Sequence, residues 1–503
     1  TTGILETGNK ISVTVATEGG AAATLTASKL KTLNDKTTGL VDVTSAGVLS
    51  GNSDDILAVL NANDDTAAAT ANGIKGLGNN GAAVSGANLD AADLLAIDNA
   101  TTVRISHSAT SMFGTSAEIA DVYLRDVDTG TNSITGTVAG CNLTVTDSSV
   151  SASVGSVGVE QLKLLSSNTI TFTATEVTGT AANVTTVLAT SEVGSDYRGL
   201  NAANVTITSG TVTGANVNAM AADTTGIITA TLTKSDNAAV GDTLANFNAL
   251  TATGHNISGT ATDTNASASA IKTFIAKTTG TLNLTAATTI TGSAADVVDV
   301  YVANDTTAIS NLGNEAVTIT GGITVAQLNA IAADTSGTIT ATVTNTDAAT
   351  LKTIARATDN LTITVADTSV AAADLIAIDA KTTGNVAVTS GTISGTYTDL
   401  VAVNALKTAT TTTYPNTTAL TVTNPITALE AVDIAGFTTG VTTATISDTV
   451  ITNGLANIPN EANNAFTITV TGTTASNTTV LSSVINTLNS RTTVPLQVNA
   501  TAI

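Results

Sequence analysis

Tryptophan is absent from this 503-residue chain, cysteine occurs once, histidine and methionine twice each, and proline four times. The lone Cys141 rules out a disulfide within the chain, and four prolines leave few fixed kinks. Aromatic side chains make up 2% of the residues, too few for the usual base-stacking platforms or sugar-stacking grooves. Charge is scarce as well, at 11%, and positive charge scarcest: 17 Lys+Arg against 39 Asp+Glu leave a net −22. A surface of that sign repels nucleic acid and anionic membrane. No apolar run approaches the length of a membrane span, so membrane insertion is not expected. No signal peptide heads the chain, which starts at Thr1 rather than Met and reads as a mature chain or a segment of something longer.

What the chain does have is aliphatic residues and repetition. Hydrophobic residues reach 42%, many of them Val, Ile and Leu in regular alternation, which argues for a long buried core rather than disorder. The phrase KTTGNVAVTSGTISG from Lys381 is echoed by KTTGLVDVTSAGVLSG from Lys36 and KTTGTLNLTAATTITG from Lys277. A catalytic motif occurs once per active site. A phrase that recurs with drifting spelling marks a structural unit stacked on copies of itself.

Aligning on the glycine of these words (Gly39, Gly226, Gly280, Gly384, and Gly337 in the variant DTSG) places apolar residues nine and six positions earlier: Leu30/Leu33, Val217/Met220, Ile271/Phe274, Leu375/Ile378 and Leu328/Ile331. A pair three apart, with Ala371 a turn before Leu375, is the buried stripe of a short helix. After the glycine the period becomes two, as in Thr338 to Thr344, which predicts a strand with aliphatics on one face and Thr or Ala on the other. The glycine between them is expected to be a left-handed helix C-cap. About eleven residues on, a second phrase (Gly395 to Leu400, Gly292 to Val297, Gly114 to Ile119, Gly179 to Val184, Gly51 to Ile56) has capping-box spacing in Thr396/Asp399, Ser293/Asp296 and Thr115/Glu118 and opens another helix.

Helices are expected near Leu30, Ile56, Leu94, Ile119, Leu162, Val184, Val217, Leu244, Ile271, Val297, Leu328, Leu351, Leu375, Leu400, Ala431, Leu455 and Ile485. Steps of 23 to 26 residues, as from Leu328 to Leu351 or Ile271 to Val297, are too short to close independent domains. They suit one turn of a stacked array. The expected fold is a repeat β-solenoid, parallel β-helix-like, with a short helix in most of about 17 turns of roughly 25–30 residues. Residues 1–24 read as an N-terminal strand or cap, 25–424 as the repeat solenoid, and 425–503 as degenerate repeats with a C-terminal cap or edge. Inserts such as Ile309 to Glu315 and Ile74 to Asn79 are expected to project as loops.

The words AADLIAIDAKTTGNVAVTS, GTYTDLVAVNA, SAADVVDVYVAND and ISNLGNEAVTITGG resemble those of the long "beta strand repeat" proteins of marine cyanobacteria and some of their phages. The resemblance covers roughly Leu25 to Asn424 and fades toward the C-terminus. It implies a secreted, cell-surface or virion-surface structural protein, often joined to calcium-binding nonapeptide repeats. The GGxGxD run of those nonapeptides is not in this sequence.

Candidates for chemistry are few. His107 and His255 are many turns apart and read as solvent-facing or loop residues rather than a metal pair. Cys141 falls at an alternating strand position that wants a small buried residue, with no adjacent His to activate it. Asp55, Glu118, Asp296 and Asp399 recur at one repeat position, which suits helix capping better than a unique catalytic pair. Asp223, Asp334 and Asp379, near helix ends, would make an acidic edge able to take Ca²⁺. Asp64, Asp65, Asp126 and Asp128 are the other calcium candidates. Outward threonines, as in VTITSGTVTG from Val205, suit an ice-binding array less well than plain strand tolerance.

The expected function is non-enzymatic: an extracellular building block of a surface layer, filament or stalk whose partner is another copy of itself, with Ca²⁺ the only cofactor considered. An adhesin or phage fibre binding a host surface polysaccharide is the alternative. A β-helical polysaccharide-degrading enzyme is a weaker one. Lys10 to Ala16 and the stretch from Thr493, with Pro495 marking an edge strand, are the expected end caps or head-to-tail contacts.

Overall fold

The computed structural model describes residues 10–15, 23–44, 46–65, 73–126, 133–136, 140–152, 158–165, 168–190, 197–234, 241–452, 454–459, 464–474 and 477–503. The chain forms two compact units. One comprises Thr1–Asp242, Asn246–Gly259 and Lys277–Gly280; the other comprises Thr243–Ala245, Thr260–Ala276 and Thr281–Ile503. Each of the seventeen expected helix positions lies in a helix, sixteen of them α and one, Leu455–Asn457, 3₁₀.

Both units are built from parallel strands interspersed with these short helices. In the first unit the strands Asn88–Asp90, Ser111–Gly114, Asn142–Val145, Ile170–Phe172 and Tyr197–Arg198 lie side by side in one sheet. In the second, Asn265–Ser267, Thr289–Gly292, Ala316–Ile323, Ile339–Val343, Asn360–Val365, Val386–Val388 and Thr412–Thr413 do the same. The register offset between paired residues runs from 20 (Ala341 to Leu361) to 33 (Val41 to Ile74), one repeat of sequence per step and a broader spread than the roughly 25–30 expected.

The register makes the core. Met112, Leu143 and Ile170 are directly paired, as are Ile290, Val317 and Ile339, and all six are buried. Beside them Thr318 pairs with Thr340, and Thr342 with Thr362, on exposed positions. At these steps like residues meet like, and a one-residue slip would turn the aliphatic ladder to water. Helices add their own stripe: Ala372, Leu375 and Ile378 are all fully buried. The stripe starts at Ala372, not Ala371, which is the exposed N-cap; helical spacing from Leu375 reaches back three positions. Leu33 is only half-buried.

The glycines of the TTG words correct a second expectation. None of Gly39, Gly226, Gly280, Gly337 and Gly384 is left-handed. A Cβ on Gly226, Gly337 or Gly384 would instead lie 2.1, 2.1 and 2.2 Å from the carbonyl oxygens of Ala203, Glu315 and Leu361, on the preceding repeat. Glycine stands there because two backbones approach closely, not because a helix ends. The inserts project only in part: Asn79, Asn311 and Asn314 are exposed, but Leu77 is buried and Glu315 is 2% exposed. Its carboxylate accepts the N–H groups of Gly313 (2.7 Å) and Asn314 (3.1 Å) and so folds the insert back on the strand.

Candidate functional site

The element that recurs is the first threonine of each TT word. Its hydroxyl accepts the N–H of the glycine two residues on, at 2.9 Å from Thr278 to Gly280 and from Thr382 to Gly384. It also donates to a carbonyl of the preceding repeat: Thr224 to Ala203 (2.9 Å), Thr335 to Glu315 (2.8 Å) and Thr438 to Thr418 (2.6 Å). At Thr278 and Thr382 it accepts in addition the N–H of Ile257 (2.7 Å) and Leu361 (2.8 Å). Thr101 and Thr492 keep the role where valine replaces the glycine. Each hydroxyl thus ties off strand-start backbone groups that the sheet ladder leaves over, which burial makes costly to abandon.

A second staple works at the other end of the helices. The first helical N–H of Ser116, Ala348, Tyr397 and Ala428 donates to Asp147 (2.6 Å), Asp367 (2.8 Å), Asn424 (3.0 Å) and Asp448 (2.6 Å), each on the following repeat. Aspartate or asparagine there meets both an orphan amide and the positive helix end. The scarce cations are used the same way. Lys272 bridges Asp296 (2.7 Å) and Asp299 (2.6 Å) on the next helix, and Lys352 reaches Asp374 (2.7 Å). The Lys272 ammonium, then the Ser293 hydroxyl, hold the Asp296 carboxyl below its usual range.

The step before strand Asn360–Val365 has no TT word, and a buried ion pair stands in its place. Asp359 is fully buried; its carboxylate accepts the N–H of Ile339 (2.9 Å) and pairs with Arg356 (2.5 Å). Arg356 also donates to the carbonyls of Thr335 and Gly337, both at 2.6 Å. His255 occupies the equivalent position. Its Nδ1 accepts the N–H of Ile228 (3.2 Å), and its carbonyl receives Thr278 as that of Asp359 receives Thr382.

The sequence candidates fall into place around these staples. His107 is a half-buried strand residue, not a solvent-facing or loop one; His255, also half-buried, stands just before strand Asn256–Thr260 and makes an isolated bridge to Thr278. Burial pushes both imidazoles below their usual value, opposed at His107 by the charge of Asp126. Cys141 is fully buried just before its strand and donates to the Ala109 carbonyl at 3.2 Å; burial, then Asp126, push its thiol up, away from a nucleophile. Asp55, Glu118, Asp296 and Asp399 all stand in the first turn of a helix, their N–H groups held by Asn52 (2.7 Å), Thr115 (3.3 Å), Ser293 (3.2 Å) and Thr396 (3.2 Å); the Glu118 and Asp399 carboxylates accept the Thr115 and Thr396 N–H in return, while those of Asp55 and Asp296 accept only from the Asn52 and Ser293 side chains at the cap. Thr213/Asn216, Thr324/Gln327 and Thr427/Glu430 form further capping boxes.

Asp65 accepts from Asn63 (2.8 Å), Gly76 and Gly78 (3.2 Å). Burial would raise its pKa, but these donors and Lys75 together hold it below the usual range. Asp64 is exposed beside it, and its N–H donates to Ile74 (2.7 Å). Asp126 ends its helix and accepts the N–H of Gly136 at 3.1 Å; Asp128 lies outside the described residues. Asp223, Asp334 and Asp379 each end a helix, and Asp379 accepts from Thr412 at 2.7 Å. Among the described residues no three His, Cys, Asp or Glu side chains gather as a metal site. No helix among them is long and apolar enough to cross a membrane.

An open cleft of about 530 Å³ in the second unit is lined by Thr285, Thr288, Asn311, Leu312, Asn314 and Glu315. It offers hydroxyls and carboxamides, and a Glu315 oxygen already engaged by backbone amides. Comparison with protein-family models, with curated proteins and with solved structures finds no match in any of the three.

Proposed function

We propose that the chain is a β-solenoid serving as a non-enzymatic, extracellular building block of a surface layer, filament or stalk. The observation that carries this reading is the repetition of one stapled unit. Helix, threonine staple and parallel strand recur with their polar side chains spent on joining one repeat to the next. An active site needs a constellation that occurs once, whereas these polar groups serve architecture. The resemblance to surface repeat proteins and the low, negative charge point the same way.

Like-charge repulsion at −22 acts over about 10 Å at 0.1 M salt. Lateral packing of copies therefore calls for Ca²⁺ bridges between exposed carboxylates, in the roughly 10⁻⁴ to 10⁻³ M range, or for high salt. The test is light scattering with circular dichroism at low salt, with calcium and then with a chelator. Particle growth with calcium that a chelator reverses, at constant sheet signal, supports the reading. Assemblies that persist in chelator refute the calcium bridge, and loss of sheet signal would mean that the ion is structural within the repeats.

A further inference from the structure

Three related inserts, Ile74 to Asn80, Tyr197 to Ala203 and Ile309 to Glu315, each end just before a strand. They hold the same place in the repeat, since the hydroxyls of Thr101, Thr224 and Thr335 donate to the carbonyls of Asn80, Ala203 and Glu315. The first two lie tight on the repeat before them. Gly76 and Gly199 are left-handed, and a Cβ there would lie 2.5 Å from the Thr44 Cα and 2.1 Å from the Phe172 carbonyl oxygen. Leu77 and Leu200 are fully buried.

The third insert stands off. Asn311 takes the glycine's place and keeps the left-handed backbone, at φ 60°, which asparagine tolerates better than most residues. Its side chain finds room and donates from Nδ2 to Oδ1 of Asn283 on the preceding repeat at 2.9 Å, while Leu312 is only half-buried. The open cleft of about 530 Å³ lies here.

The fold does not require the charge that lines this cleft. Ala203 and Asn80, both buried, hold the place of Glu315 in the other two inserts. A carboxylate 2% exposed is costly to keep, and no lysine or arginine among the described residues pairs with it. The Gly313 and Asn314 amides both donate to Oε2, which leaves Oε1, without a donor among the described residues, for the cleft. Around it stand the carboxamides of Asn311 and Asn314, the hydroxyls of Thr285 and Thr288, and the apolar side of Leu312.

These groups select the ligand. Carboxamides and hydroxyls both donate and accept, and the carboxylate accepts, which suits the adjacent hydroxyls of a sugar ring. The volume is that of an ordinary small-molecule site, more than one ion fills. A single carboxylate is little charge for a divalent cation, yet enough to repel an acidic sugar. No aromatic ring lines the cleft, so hydrogen bonds carry the affinity, which is expected to be roughly millimolar.

We propose that the cleft between Thr285–Thr288 and Asn311–Glu315 binds one unit of a neutral polysaccharide, whose hydroxyls donate to Glu315 Oε1 and exchange hydrogen bonds with Asn311 and Asn314. The site needs one copy of the chain only, so it goes beyond the building-block reading and its test is separate from that of assembly.

The test is saturation-transfer difference NMR of the whole chain with glucose, galactose, mannose, N-acetylglucosamine and their disaccharides, with glucuronic acid as the anionic control. At least one neutral sugar should give a signal, and glucuronic acid none at the same concentration. Glu315→Gln, which keeps an oxygen for the Gly313 and Asn314 amides, should weaken binding about tenfold or more. Asn311→Gly, which restores the residue of the other inserts, should weaken it several-fold; both should leave the circular dichroism unchanged. No signal from any neutral sugar, or a signal that neither substitution weakens, overturns the proposal. Calcium chloride titrated in a calorimeter should show no binding that Glu315→Gln removes; such binding would make the cleft a cation site and overturn the proposal as well.

Discussion

Replacing Thr382 by valine keeps the shape of the side chain and removes one oxygen. That oxygen accepts the N–H groups of Leu361 (2.8 Å) and Gly384 (2.9 Å) and donates to the carbonyl of Asp359 (3.0 Å) or Leu361 (3.2 Å). Leu361 is fully buried, so water cannot take over its amide. A buried donor left without a partner costs about 1–3 kcal/mol, and a net hydrogen bond is worth about 1 kcal/mol, so Thr382→Val should cost roughly 2–4 kcal/mol. A repeat array need not unfold in one step, so a global melting curve would blur the effect. Local hydrogen exchange resolves it. At 1.4 kcal/mol per tenfold, the Leu361 amide should exchange about 30- to 700-fold faster. Thr382→Ser, which keeps the oxygen, should stay close to the parent, as should Thr383→Val, whose hydroxyl makes one longer, part-buried bond to Asp359 (3.3 Å). Equal exchange in Thr382→Val and the parent, or equal loss in Thr382→Ser, would refute the staple.

Three further outcomes are expected. Gly384→Ala should destabilise by more than about 3 kcal/mol, because its Cβ meets the Leu361 carbonyl at 2.2 Å, whereas Gly391→Ala, whose nearest neighbour is at 3.6 Å, should be neutral or slightly stabilising; denaturant midpoints compare them. Arg356→Met leaves the fully buried Asp359 charged without its guanidinium and should cost about 3–5 kcal/mol, part of it recovered in Arg356→Met/Asp359→Asn, as a double-mutant cycle would measure. Burial pushes the Tyr301 phenol up to about 12 from its ordinary 10. The unfolded chain therefore loses a proton first, and stability should fall as pH rises from 10 to 12, with no contribution below 10. Chemical denaturation across that window should show a larger loss in the parent than in Tyr301→Phe, which keeps the also raised Tyr397 and Tyr414.

The sequence makes the helices legible because their signals are local. Leu375 and Ile378 lie three residues apart, and Thr396 and Asp399 satisfy each other within one turn. Strand faces are legible for the same reason, since alternation along Ile339–Val343 is a property of neighbours. The role of Thr382 is not, because its partner Leu361 stands 21 residues away. Gly384 reads as a helix stop until the carbonyl opposite it is seen. Asp359 and His255 look like odd letters in a low-charge chain, yet each fills a place in the repeat by accepting the N–H of the strand before it. A gap in the TT series near residue 358 was the visible signal for the first of these.

The claim that this chain acts by assembling rather than by catalysis is tested most directly by electron microscopy of the purified protein at millimolar calcium and at high salt. Ordered sheets or filaments are the predicted result. Isolated particles under every condition, or cleavage of a polysaccharide by the same preparation, would contradict it.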